Sequence, residues 1–220
     1  MSPRSTLPIT AANGQPLPNR FLRQKQAANR LALVLPGINY NVDMPMIYYT
    51  TQVLQFYGAD VLQLRPDYQE PAFQNAPVEG RLSWMAHDTR AGLAAGLAAG
   101  SYQQVILAGK SIGTLSMALL LAQSAGLDPA VTIWLTPLLH DSLVVKAAQE
   151  HAGPSFFMAG SGDKTFDPHV MQRIKDRVAV QVWIAEGADH SLEIPGDPLQ
   201  SLKILLAGMQ ALSTFLAEVL

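Results

Sequence analysis

One feature limits the possible folds of this chain more than any other. From residue 31 onward, short continuous apolar runs alternate with longer segments of helical period. The runs LALVLPG (31–37), ADVLQLRPDY (59–68), QQVILAG (103–109), VTIWLTP (131–137), SFFMAG (155–160) and VAVQVWIAEG (178–187) read as strands. The segments MIYYTTQVLQFYG (46–58), SWMAHDTRAGLAAGLAAG (83–100), TLSMALLLAQSAG (114–126), HDSLVVKAAQEHAG (140–153), DPHVMQRIKDRV (167–178) and LQSLKILLAGMQALSTFLAEVL (199–220) read as helices. Strands that alternate with helices are joined by crossovers and therefore lie parallel. Strands apolar on both sides need helices on both faces. The predicted fold class is α/β: a mostly parallel, doubly wound sheet. No linker rich in Pro, Gly or Ser splits the chain and no repeat is visible, so residues 1–220 form one domain.

Three local patterns refine this. Residues 1–30 are rich in Pro and polar side chains, and Asn13-Gly14 is a hairpin signal. This segment is either a short antiparallel pair at the sheet edge or a loose arm. Gly92, Gly96 and Gly100 form a stripe that predicts close packing of the 83–100 helix on a neighbour. In the final segment Leu202, Leu205, Met209, Leu212 and Leu216 share one face, while Gln210, Ser213, Thr214 and Glu218 interrupt the apolar character. This predicts an amphipathic helix rather than a membrane span.

Composition excludes several functions. A net charge of −2 gives no basic field for nucleic acid. Without cysteine there is no disulfide, no thiolate catalysis and no cysteine-ligated zinc. The start, MSPRSTLPIT, lacks the apolar core of a signal peptide. A soluble cytoplasmic protein with no membrane partner is expected. No oligomeric state follows from the sequence.

The chemistry turns on VILAGKSIGT, residues 105–114. Gly109-Lys110-Ser111 could end a phosphate-binding loop, but the first glycine of G-x-x-x-x-G-K-[ST] would fall on Gln104. The intervening Val-Ile-Leu-Ala belongs to a strand, so no loop is available to wrap phosphates. The same residues also spell G-x-S-x-G between a buried strand and a helix. That reads as a nucleophile elbow, a turn so tight that glycine is needed at positions 109 and 113, the plainer reading being a strand-to-helix turn with a capping serine. Ser111 is then the candidate nucleophile.

A serine hydroxyl needs a base, and the base needs an orienting acid. On this architecture the chain order is Ser, then Asp or Glu, then His. His190, in EGADHSLE after the last strand, meets that order. His140 is the next candidate, and His151 and His169 read as surface residues. For the acid, Asp163 lies on the glycine-rich turn after SFFMAG. Asp167 precedes Pro168 and suits a helix cap, and Asp141 follows an earlier strand. Asp189 reads as a solvated loop carboxylate. An oxyanion needs two N–H donors, expected from the backbones of Ile112 and Ile38. Met44, Met46, Tyr48 and Tyr49 follow the Ile38 loop, with Met44 and Tyr48 as candidates for substrate contact. Lys110 is read as a side chain lying along the surface without a role, the other reading being attraction of an anionic substrate.

Taken in order, VLPGINY, AGKSIGT, AGSGDKTFD and GADHSLE resemble the α/β-hydrolase superfamily over residues 31–220. The chain looks most like its small, lidless members related to dienelactone hydrolases and carboxylesterases. The resemblance implies a sheet of about eight strands and a Ser111–Asp163–His190 triad. Pro36-Gly37 stands where many members carry His-Gly, and Ser111 stands where dienelactone hydrolases use cysteine. The segment between VTIWLTP and SFFMAG has room for one helix, so no cap domain is expected. The expected function is serine hydrolysis of an ester, thioester or similar small-molecule acyl substrate, without a cofactor or metal. The rival is a catalytically silent binding or scaffold protein of the same fold.

Overall fold

The computed structural model describes residues 4–127 and 129–220. Along the chain these form β1 (Arg4–Ser5), β2 (Asn19–Leu22), β3 (Arg30–Leu35), α1 (Pro45–Phe56), β4 (Ala59–Leu64), α2 (Pro71–Gln74), α3 (Val78–Ala98) and β5 (Gln104–Lys110). There follow α4 (Ile112–Gln123), β6 (Val131–Leu135), α5 (Ser142–Glu150), β7 (Ser155–Gly160), α6 (Pro168–Lys175), β8 (Val180–Ala185) and α7 (Pro198–Val219). The six strands and six helices expected from the alternation are all present. The short α2 was not foreseen.

The described strands form one eight-stranded sheet in the order β1-β2-β4-β3-β5-β6-β7-β8. All pairs from β4 through β8 are parallel, while β2 runs antiparallel to both β1 and β4. Alternate strand residues feed two separate cores. Leu31, Leu33, Leu62, Leu107, Trp134 and Phe157 meet α3 to α6 on one face. Ala32, Val34, Val61, Ile106, Ile133 and Phe156 meet α1 and α7 on the other.

The N-terminal segment resolves to the edge-hairpin reading. Gly14 takes φ +78°, which the turn requires. The N–H of Ala11 donates to the Gln15 carbonyl, and that of Leu17 to the Ile9 carbonyl, both at 2.8 Å. Ile9, Leu17 and Phe21 are buried. The buried Asp88 carboxylate on α3 accepts the Ala12 N–H (2.7 Å) and the Trp84 indole N–H (3.1 Å), fastening the segment to the domain.

The glycine stripe behaves as predicted at two positions. A Cβ at Gly92 would lie 2.6 Å from a Leu64 methyl, and one at Gly96 2.9 Å from a Leu31 methyl. Gly100 lies beyond the end of α3 at Ala98 and abuts the Tyr102 ring instead. The α7 stripe also needs correction. Leu202 is exposed, and the buried face runs through Ile204, Gly208, Met209, Leu212, Phe215 and Leu216. By length and composition alone α7 could cross a membrane, but these six residues cover the sheet.

Candidate active site

Because β3, β5, β7 and β8 are parallel, the turns after them emerge along one edge of the sheet. Open parallel sheets bind ligands at that carboxyl edge. Ser111 follows β5 at φ 55° and ψ −121°, a conformation rare for any residue other than glycine. Such a residue stores on the order of 1–3 kcal/mol of strain. Its N–H donates to the Leu135 carbonyl at 3.0 Å. Its carbonyl accepts the Thr114 N–H at 2.8 Å and the Thr114 hydroxyl at 2.6 Å. Both flanking glycines are needed. A Cβ on Gly109 would sit 2.6 Å from the Gly113 carbonyl oxygen, and one on Gly113 only 2.1 Å from that of Leu35.

Ser111, His190 and Asp163 form one hydrogen-bonded line. The Ser111 Oγ lies 2.8 Å from His190 Nε2, and His190 Nδ1 lies 2.7 Å from Asp163 Oδ2. Asp163 is buried, whereas about a third of the His190 side chain, 34%, is exposed, so a ligand can reach the imidazole. Burial pushes the Asp163 carboxyl up. Hydrogen bonds from His190 and from Thr165 outweigh this and hold it below the usual carboxylate range. The ionised Oδ2 fixes the imidazole with its proton on Nδ1 and leaves Nε2 to accept from Ser111.

The turns bearing Asp163 and His190 are pressed together. The N–H of Gly162 donates to the Ala188 carbonyl at 3.0 Å, and a Cβ on Gly160 would lie 2.1 Å from that same oxygen. Gly37, after β3, packs against the elbow: a Cβ there would lie 3.4 Å from Ser111 Cβ. Ile38 next to it is partly exposed. Ile112 is the first residue of α4, where N–H groups have no intrahelical acceptor.

The other acid and base candidates have different tasks. Asp167 caps α6 by accepting the His169 and Val170 N–H groups, and Asp141 caps α5 through Leu143 and Val144. His140 and His169 are exposed. His151, expected at the surface, is buried, with Nε2 2.8 Å from the Ala130 carbonyl.

Three residues beside the line depart from expectation or were missed. The Thr165 hydroxyl lies 2.9 Å from Asp163 Oδ1 and 3.2 Å from His190 Nδ1. Its place two residues after the aspartate was the only sequence hint. Asp189 is not a free loop carboxylate: Oδ1 accepts the Ser191 N–H (2.7 Å) and the Glu193 N–H (3.0 Å) and shapes the turn carrying His190. Lys110 does not lie along the surface and is not open to a ligand. Only 2% of it is exposed.

Of the residues expected to contact substrate, Met46 is fully buried core, and Met44 stands partly exposed ahead of α1. Tyr48 packs edge-on against Tyr49 at 5.1 Å. It borders a polar cavity of about 720 Å³ with Arg20, Gln24 and Gln52, whose lining includes none of Ser111, His190 and Asp163. A more apolar cavity of about 390 Å³ lies beside the His190 turn, lined in part by Tyr40, Pro45, Leu192, Ile194 and Leu205.

No protein-family model and no curated protein sequence matches the chain. Solved structures do. The esterase Pf2001 of Pyrococcus furiosus superposes with a TM-score of 0.73 at 13% identity, covering 99% of this chain and 93% of its own. Est1E from Butyrivibrio proteoclasticus, solved with ferulic acid bound, gives 0.72 at 13% identity over 95% and 99%. A cold-adapted esterase from an Arctic intertidal metagenomic library gives 0.65 at 15% identity over 96% and 92%. Near-complete coverage in both directions, together with the sheet order and the strained serine after β5, identifies the architecture: the chain has the α/β-hydrolase fold.

Proposed function

We propose that this protein is a serine hydrolase that cleaves an ester, thioester or similar acyl bond through an acyl-enzyme on Ser111. The observation that carries the reading is the line from a strained Ser111 through His190 to Asp163, at 2.8 and 2.7 Å. The esterases of the same fold support it. Ser111 Oγ attacks the substrate carbonyl carbon while His190 Nε2 takes the hydroxyl proton. Asp163 stabilises the resulting imidazolium and stays ionised. The oxyanion is held by the backbone N–H groups of Ile112 and Ile38. As the tetrahedral intermediate collapses, His190 returns the proton to the departing alcohol or thiol. A water molecule then gives a proton to His190 and attacks the acyl carbon, and a second collapse frees the carboxylic acid and Ser111. These steps need no metal or organic cofactor. The apolar cavity beside the His190 turn is suited to an apolar substrate part.

A fluorophosphonate probe tests the reading. Wild type should be labelled covalently at Ser111, and Ser111→Ala should resist labelling while keeping its circular dichroism spectrum. Hydrolysis of p-nitrophenyl acetate should fall by up to about a million-fold in the variant. Equal labelling of the two proteins would remove Ser111 as nucleophile.

A further inference from the structure

Lys110 is the buried ionisable group that the proposed mechanism leaves without a task. It is the last residue of β5, immediately before the nucleophile. Its ammonium donates to the main-chain carbonyl of His190 at 3.0 Å, across eighty positions of sequence. It also lies 4.8 Å from the centroid of the Tyr40 ring. Tyr40 is fixed in turn: its hydroxyl accepts the Met46 N–H at 3.0 Å, and the N–H of Gly37 donates to its carbonyl at 3.1 Å. The Lys110 stem packs under Gly37, where a Cβ would come within 3.3 Å of Cδ. One side chain thus touches the turn after β3, the elbow after β5 and the turn carrying His190.

We infer that Lys110 is a positioning residue: its ammonium pins the His190 turn to the elbow and the Gly37–Tyr40 turn, setting the reach of Nε2 to Ser111 Oγ. This rests on the serine-hydrolase reading for its catalytic consequence, but not for the pin itself. The other contacts of this turn act elsewhere, the Gly162 N–H holding the Ala188 carbonyl to the turn after β7. Asp163 and Thr165 fix the ring at Nδ1, and Asp189 shapes the turn internally, whereas Lys110 ties the turn's main chain to the strand that bears the nucleophile. The bond is charge-assisted and partly buried, and charge assistance makes such bonds strong. Burial draws the ammonium down to about 8, partly opposed by the carboxylates of Asp163 and Asp189. The groups facing it are therefore Asp163 from the turn after β7, Asp189 and His190 from the turn after β8, and Tyr40 from the turn after β3. Burial also raises the Tyr40 phenol, which stays neutral in this range. Near pH 8 the pin then loses its charge while the Tyr40 phenol stays neutral and the Asp163 carboxylate stays ionised.

The test uses Lys110→Met, which keeps the stem and removes the donor, and Lys110→Arg, which keeps a donor that stays charged. Two readouts are taken: amide hydrogen exchange of residues 189–193, and the rate of fluorophosphonate labelling from pH 6 to 10. In Lys110→Met, exchange of the turn should quicken at least about tenfold, and labelling at pH 7 should slow by about a hundredfold, the cost of a displacement near 1 Å. Wild-type labelling should decline above pH 8 by about tenfold, the difference between a charged and a neutral donor. Lys110→Arg should lack that decline, so it tests the idea even if the methionine variant does not fold. Unchanged exchange in Lys110→Met, or identical alkaline profiles in wild type and Lys110→Arg, would overturn the role. If wild type were not labelled while the turn loosened as described, the pin would stand and the acyl-enzyme reading would fall.

Discussion

A buried ammonium has a thermodynamic signature separate from any effect on rate, and Lys110→Met should reveal it. Folding lowers the Lys110 pKa from 10.5 to about 8. At 1.36 kcal/mol per unit this makes the charged form about 3 kcal/mol less favourable in the folded protein. Below pH 8 both folded and unfolded chains carry the proton, so the folded protein bears the whole cost. Between pH 8 and 10.5 the unfolded chain still holds the proton and the folded protein has released it. Stability attributable to this residue therefore rises with pH across that window and levels off above it. The methionine variant has no such proton. Measured against it, wild type should gain about 3 kcal/mol between pH 7 and pH 10.5. Every other ionisable group is common to both proteins and cancels in the difference. The orphaned His190 carbonyl lowers the variant's stability by about 1–3 kcal/mol at every pH, so it shifts the offset and not the slope. Urea unfolding followed by circular dichroism, with equal m-values, gives the two free energies at each pH. A difference that stays flat from pH 7 to 10.5 would refute the reasoning, because it would mean that the ammonium suffers no net penalty on folding.

Two further outcomes concern the Ser111–His190–Asp163 line and its frame. Asp163→Asn should lower turnover on an activated ester by about ten-thousand-fold through loss of tautomer control, whereas Asp167→Asn should cost less than about tenfold, since asparagine also serves as a helix cap; side-by-side steady-state kinetics decide, and reversed effects would move the acid. Gly113→Ala places a methyl 2.1 Å from the Leu35 carbonyl oxygen, 1.3 Å inside ordinary contact at 3.4 Å, and its other near neighbours are also main chain. It should lower stability by at least about 1–3 kcal/mol and labelling by about a hundredfold, and a variant that melts and labels like wild type would contradict the packing at the elbow.

The elbow was legible because its signal is local, whereas the Ser111–His190–Asp163 line, whose partners lie 79 and 27 positions apart, could be anticipated only from chain order. Gly109 and Gly113 mark a main-chain approach that no side chain survives, and the order of Ser111, Asp163 and His190 follows from parallel strands read outward from the middle of the sheet. Asp167 was legible as a cap because a cap needs only its own next three residues. Lys110 and His151 were misread because their partners, the carbonyls of His190 and Ala130, lie 80 and 21 positions away. A lysine in a G-x-S-x-G motif looks the same in sequence whether its ammonium meets water or a main-chain oxygen. Leu202 was misassigned for a different reason. Apolar residues surround much of α7, and the choice of buried face belongs to the sheet, which selected Ile204 and Phe215.

The position of β8 bears on how this protein would fail. β8 closes one end of the sheet, is paired to β7 alone, and is only partly buried along most of its length, whereas β7 is buried throughout. The serine stands on β5, two strands inward from β7, while the imidazole hangs from this outermost stave. Edge strands that are only partly buried are candidates to open first in sub-global fluctuations. Peeling β8 away would withdraw His190 and leave the strained serine and most of both cores in place. On the serine-hydrolase reading, fluorophosphonate labelling should then be lost in mild denaturant before the domain unfolds, gauging the grip of a single edge strand.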